Sequence, residues 1–319
     1  MTRSPNPGGR PCSVYVWFLL LAVALIFCGC SPRRMMIREL TAAIDEGSSA
    51  FEQDDDLELL QSAFPANIKL LETLLANDPD NRSLLVLLAR FYGSYAFLFL
   101  EDDIEAAQLE ARQSGKPGRT SSEKVQKVVT YYRKGLAYAL DALEVRYPDA
   151  AQRMANVVAA GPFVRSMTAE DMPALFWYGF NLSGRINHNR GDVGTVAKAH
   201  LVEKSMLRVI EVDPDYYYGS ARLVLIAYYG SRPPMMGGSP QRALAQYREL
   251  TTQQGEAFLL GHLFYARYYL VQTHRKTLFD QVLSDIVGNR ERYPVYPLFN
   301  RIAVDRAELY LEHSGRFFE

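Results

Sequence analysis

From Leu57 onward, apolar residues recur on a helical period and the runs stop at proline. In "FPANIKLLETLLANDPDN" the positions Ile68, Leu71, Leu74 and Leu75 fall on one helix face, and Pro79 then interrupts the hydrogen-bond ladder. Such a stripe must be covered by another element. The next run, "RSLLVLLARFYGSYAFLFLEDDIEAA", is apolar on nearly all sides and therefore reads as a buried helix. "VQKVVTYYRKGLAYALDALEVRYPD" follows as a long amphipathic helix, and "MPALFWYGFNLSGRINHN" as another buried one. "QSGKPGRTSS", residues 113–122, reads as a loop by composition. β-Branched residues are scattered on helical periods, so few segments look like strands.

One pattern occurs twice. "LLETLLANDPDN" at 70–81 is echoed by "SMLRVIEVDPDY" at 205–216, each an apolar helix ending in Asp-Pro-Asp. Their separation is close to four periods of about 34 residues, the tetratricopeptide length. The expected fold is all-α: an irregular, tetratricopeptide-like solenoid of helical hairpins, in which stacking completes a core that no single hairpin can close. Gly135, Ala139, Gly179, Gly219, Ala221 and Ala243 are expected at close-packing positions.

The N-terminus sets the organisation. Residues 1–13 carry Arg3 and Arg10 and no acid, and residues 14–27, "VYVWFLLLAVALIF", are an apolar run too short for a comfortable membrane span. The run closes in "FCGC", with Gly29 directly before Cys30, which resembles a bacterial lipobox. Residues 1–29 are thus expected to be a lipoprotein signal peptide, with lipid on Cys30. A plain signal peptide is the alternative. Residues 30–56 are expected to be a lipidated tether and a first weak helix, with Asp54–Asp56 at a helix start, and residues 57–319 a helical-repeat domain. Ser31 is compatible with outer-membrane sorting. The three cysteines, Cys12, Cys28 and Cys30, all precede the body, so cysteine chemistry is excluded there.

Charge is nearly balanced, 35 Lys and Arg against 36 Asp and Glu, and gives no sign of a nucleic-acid partner. His188, His200, His262, His274 and His313 form no metal-ligand spacing and read as surface or cap residues. There is no phosphate loop after a strand and no Gly-x-Ser-x-Gly. No metal, cofactor or enzymatic activity is expected. Tyrosine clusters at 216–218, 228–229 and 265–269 read either as inter-helix packing or as an amphipathic groove for an extended or apolar ligand or a protein partner. In "GSRPPMMGGSP", residues 230–240, Gly230 suits a left-handed helix end, Pro233 and Pro234 hold the chain extended, and Gly237 and Gly238 permit positive φ. Ser239 and Pro240 suit the N-cap and first position of the next helix. The loop is longer than the short turn of an ordinary repeat hairpin, and its Met235 and Met236 are adaptable apolar side chains.

Four stretches carry a family resemblance: "LLETLLANDPDNRSLLVLLARFYGSYAFLFLEDD", "MPALFWYGFN", "VDPDYYYGSARLVLIAYYGSRPPMMGGSPQRALAQY" and "PLFNRIAVDRAELYLE". Over about residues 57–315, plus the lipobox, the sequence resembles the TRAP transporter T-component family, lipoproteins associated with tripartite ATP-independent periplasmic transporters. The Pro-Pro-x-x-Gly-Gly loop is its most specific mark. Tyr178-Gly179 and Ser239 depart mildly from the family pattern. The resemblance implies a tetratricopeptide-like fold, a periplasm-facing membrane-anchored protein that docks a periplasmic solute-binding protein and assists ligand delivery, and homo-oligomers. Partner- or ligand-binding candidates are Arg232, Pro233, Pro234, Met235, Met236, Gly237, Gly238, Tyr217, Tyr218, Phe176 and Trp177. The alternative class is an envelope scaffold lipoprotein without a ligand.

Overall fold

A computed structural model describes residues 32–114, 119–289, 292 and 294–319. The expected signal peptide, residues 1–29, and Cys30 lie outside the described residues. The chain begins with α1 (Pro32–Gly47) and a 3-10 turn (Ser48–Phe51), then α2 (Leu57–Leu75) and α3 (Arg82–Tyr95). A π-helical turn (Ala96–Leu100) runs into α4 (Glu101–Ser114). There follow α5 (Arg119–Glu144), α6 (Ala150–Ala155), α7 (Val157–Ser166), α8 (Met172–His188), α9 (Val193–Val196) and α10 (Ala199–Val212). The last third holds α11 (Tyr216–Gly230), α12 (Pro240–Gln254), α13 (Leu259–Phe264) with a second π-helical turn (Tyr265–Leu270), α14 (Lys276–Gly288) and α15 (Pro297–Glu312). No strand occurs among the described residues. The all-α expectation holds.

Helices pack in succession: α2 on α3, α3 on α5, α5 on α8, α8 on α10, α10 on α11, α11 on α12, and α14 on α15. Both Asp-Pro-Asp segments are turns. Asn81 caps α3 by accepting from Leu84 N at 3.2 Å, and α10 ends at Val212, just before the second stop. The helix Arg82–Ala111 is long and apolar enough to cross a membrane, and it is mostly buried inside the protein. Its apolar circumference is explained by neighbours on all sides.

Close packing follows the small residues. The space a side chain would fill at Gly135 is taken by Asn181, whose Nδ2 donates to the carbonyls of Ala89 (3.1 Å) and Trp177 (2.7 Å). A Cβ on Gly179 would sit 2.6 Å from Met206 Cε. Ala139 and Ala243 are sealed. Gly219 serves differently: its φ of +66° lies in the left-handed region.

One expectation needs correction. The segment 113–122 is not all loop, because α4 continues to Ser114 and α5 starts at Arg119. The first helix expected before residue 57 is α1, and it packs against α3. Ile37 and Thr41 of α1 are buried. Arg38 Nε donates to Asp78, a fully buried carboxylate just past α2, at 3.1 Å. A buried charge without partners is costly, and α1 supplies them. Asp56 does start a helix, accepting from Leu59 N at 3.0 Å.

Among the described residues, apolar side chains form two cores. The second gathers α5–α8 and α10–α12 around Leu175, Trp177, Leu201 and Tyr229. The first includes Ile37, Leu71 and Phe91 from the start of the chain and Phe279, Ala307 and Tyr310 from its end. The first and last helices therefore share one core.

Candidate functional site

The Pro-Pro-Met-Met-Gly-Gly loop is a braced structure. Gly230 is the last residue of α11 and is not left-handed, contrary to expectation. It is required instead because a Cβ there would sit 2.5 Å from the Tyr268 carbonyl oxygen. Pro233 is extended (ψ 156°), Pro234–Met236 form one 3-10 turn, and Gly237 takes φ +88°. Gly238 does not need positive φ. It lies directly against the Arg232 carbonyl, where no side chain fits. Gly238 N donates to Pro233 O (3.1 Å) and Ser239 N to Tyr229 O (2.9 Å), which ties the loop back to α11. Ser239 caps α12 by accepting from Arg242 N at 3.3 Å, and Pro240 is its first residue. From this base Met235 projects 91% exposed and Met236 48% exposed, with Pro233 and Pro234 exposed beside them.

Arg232 lies beneath, buried. Its Nη1 donates to Tyr228 O at 3.0 Å, its guanidinium sits 4.2 Å from the Tyr228 ring centroid, and its carbonyl accepts from Gln272 Nε2 at 3.2 Å.

The aromatic candidates form a separate group at the other end of α11, about 15 Å away by the rise of the intervening helix. Phe176 and Trp177 of α8 are sealed. Tyr217 packs on Trp177 (centroids 5.1 Å) and Phe176 (5.8 Å), and Tyr218 on Phe299 (5.2 Å). Tyr217, Tyr218 and Gly219 adopt φ of +47°, +59° and +66°. Each non-glycine residue so held costs about 1–3 kcal/mol, which the surrounding contacts must offset. One such contact is polar: Tyr218 OH donates to Glu52 at 2.6 Å. Glu52 pairs with Arg90, which also donates to Ser48 Oγ at 2.7 Å and lies 5.2 Å from the Tyr217 ring centroid. The segment that follows α1 thus fixes the aromatic group from outside.

Tyr217, Trp177, Phe97, Phe180, Leu260 and Phe264 enclose an apolar cavity of about 40 Å³. A second cavity of about 20 Å³, walled by Phe51, Glu52 and Arg90, shares Ser94, Leu98 and Tyr217 with it. Ligand sites usually offer roughly 300–1,000 Å³, so a ligand of that size needs the walls to move. The larger hollows, of about 570 and 400 Å³, are open clefts that touch none of the sequence-predicted residues.

Sequence reasoning missed a half-buried polar cluster. Immediately after the first π-helical turn, α4 presents Glu101, Asp102 and Glu105. Asp102 pairs with Arg306 of α15, which also donates to the Phe97 carbonyl. Glu105 accepts from Tyr310 OH (2.6 Å) and pairs with Arg267 (3.2 Å). Glu101 accepts from Tyr132 OH at 2.6 Å and faces His188 Nε2 at 2.9 Å. His188 is thus no surface or cap residue, since its ring stacks on Tyr132. His262 is also enclosed, with Nδ1 2.8 Å from Tyr247 OH. The available signal was the run "EDDIE" directly after an all-round apolar helix.

Burial alone would lower the His188 imidazole, but the Glu101 carboxylate beside it raises it above 6.5. Burial would raise Glu101, but His188 foremost, then Arg306 and the Tyr132 hydroxyl, hold it below its ordinary value. The stability His188 contributes is therefore full below its ordinary value and is lost as pH rises through its folded value. Glu101 contributes above its ordinary range and loses that contribution as pH falls through its folded value. Urea unfolding at increasing pH is expected to show stability declining above pH 6.5, with the decline reduced in His188→Gln. An unchanged slope in that variant would refute the assignment.

A family model described as TRAP transporter T-component matches residues 53–318. A Treponema pallidum (strain Nichols) protein, described only as uncharacterized, is 23% identical over 329 residues, spanning 96% of this chain and 98% of its own.

Proposed function

The chain belongs to the TRAP transporter T-component family, and from that premise we propose that it is a lipid-anchored, periplasm-facing accessory that docks the transporter's solute-binding protein and assists ligand delivery. The loop at Ser231–Ser239 supports the docking surface: it is fastened at its base by backbone bonds, and yet presents the almost fully exposed Met235. A rigid platform with an apolar tip suits association, because little ordering is left to be done on binding. The lipid anchor rests on Cys30, and self-association and an outer-membrane position belong to the same reading. No catalytic role is part of it.

The small internal cavity favours a second reading, an envelope scaffold without a ligand. One experiment separates the two. Cys30→Ala, expected to lose metabolic lipid labelling, is used as bait in extracts of the native host. The first reading expects the solute-binding protein among the recovered partners, and expects its loss when Met235→Ser and Met236→Ser are added. Recovery of other envelope proteins without the solute-binding protein would favour the scaffold. Recovery undiminished by the methionine changes would move the docking surface elsewhere.

A further inference from the structure

Arg232 and Arg306 are the buried arginines among the described residues. Arg306 meets a carboxylate, Asp102, as do the half-buried Arg90 and Arg267 with Glu52 and Glu105. Arg232 is only 7% exposed, and among the described residues no carboxylate lies within ion-pair distance of it. Its compensation is one carbonyl, Tyr228 O, and one ring face, that of Tyr228. Burial accordingly lowers its pKa. A guanidinium carries five donors in a planar fork. Here Nη1 alone has a protein acceptor, while Nε and Nη2 are not among the sealed polar atoms. Both keep some contact with solvent.

The surroundings add positive charge. Arg190, exposed just beyond α8, forms no hydrogen bond or ion pair among the described residues, and its charge further disfavours that of Arg232. Glu203, the acid whose charge reaches Tyr228, is already engaged by Arg242 at 2.6 Å and by Tyr229 OH at 2.9 Å. The site is therefore two cations without a carboxylate partner among the described residues, beside the exposed apolar residues Pro233, Pro234, Met235 and Met236. An apolar rim around a half-satisfied arginine is the composition of an interface hot spot. A planar bidentate acceptor is what the free fork matches.

We propose that Arg232, assisted by Arg190, receives the carboxylate of an Asp or Glu side chain on the docking protein, with the methionine loop closing over its apolar flank. The inference rests on the docking reading above and adds the chemistry of the contact. Arg232 forms the bidentate pair with the partner's carboxylate. Arg190 steers the approach from the rim.

The test measures affinity of the full chain for the solute-binding protein of the same transporter, with and without added acetate. Arg232→Met, which keeps the packing volume, is expected to raise Kd about 30-fold or more. Arg232→Lys is expected to raise it about tenfold, since a point charge replaces the fork. Arg190→Gln is expected to cost about threefold, mainly through the association rate and its salt dependence. Acetate should weaken binding of the wild type and have no effect on Arg232→Met. That difference separates a carboxylate pair from a loop brace. An Arg232→Met Kd within about twofold of wild type, or equal acetate sensitivity in both proteins, overturns the proposal. Should Arg232→Met melt early, Arg232→Lys and the acetate dependence of the wild type decide the matter on folded protein. If the wild type does not bind the solute-binding protein at all, the docking reading falls, and titration with acetate and with inorganic phosphate is the remaining arm. Saturation of the wild type and not of Arg232→Met would make this a small-anion site and overturn the protein source. No saturation would overturn the site.

Discussion

Arg306→Ala is expected to lower the stability of the whole chain by about 3–5 kcal/mol, measured as a fall in the urea midpoint at unchanged m. Arg306 is 5% exposed and joins α15 to the start of α4 through Asp102 and the Phe97 carbonyl. Its guanidinium also lies 4.3 Å from the Phe97 ring centroid. Truncation leaves Asp102 beside Glu101 and Glu105 with one cation fewer, and it leaves the Phe97 carbonyl with one donor fewer. Arg306→Ala combined with Asp102→Asn should cost less than the sum of the two, because the stranded charge is gone. A loss below about 1 kcal/mol for Arg306→Ala would mean that water already shares these groups.

Trp177→Ala is expected to cost about 3–5 kcal/mol. Trp177 is among the largest fully buried side chains, and its ring contacts Phe176 (4.9 Å), Phe180 (5.2 Å) and Tyr217 (5.1 Å). Its removal extends the existing cavity of about 40 Å³ into space that the left-handed Tyr217–Gly219 segment cannot collapse into without giving up its geometry. The variant should be stabilised by indole, whereas the wild type should not. Loss below about 1.5 kcal/mol, or an equal response to indole in both proteins, would show that the neighbouring rings close the gap.

What could be read from the sequence was local. Periodic leucines, Asp-Pro-Asp stops, and Ser239 with Pro240 each act within one or two helical turns, and each sits where such signals place it. Gly135 and Gly179 were legible as contact points because a missing side chain in a helix has few other uses. The misses are tertiary. Nothing near Gly230 in the chain announces the Tyr268 carbonyl that passes over it. Nothing in sequence points from His188 to its partner, because Glu101 lies 87 positions away. Tyr217 and Tyr218 are poor candidates for positive φ on propensity, and they are held there by Glu52, Phe299 and Trp177, which come from three distant segments. Of the candidate site, the loop was legible as a unit. Its relation to the aromatic group was not, because the two lie at opposite ends of one helix.

The meeting of first and last helices in one core sets an order of events during synthesis. Until α15 has left the ribosome, Asp102 and Glu105 lack their arginine and tyrosine from that helix, and Ile37 and Leu71 lack much of the apolar layer they share with Phe279, Ala307 and Tyr310. α3 is covered early by α2 and α5, but its share of the first core closes only when that layer arrives. Completion waits on contacts of long sequence separation, which form slowly. A chaperone that holds the first helices apart until the last arrives therefore has a longer task here than in an open stack of repeats, where each hairpin needs only the one before it.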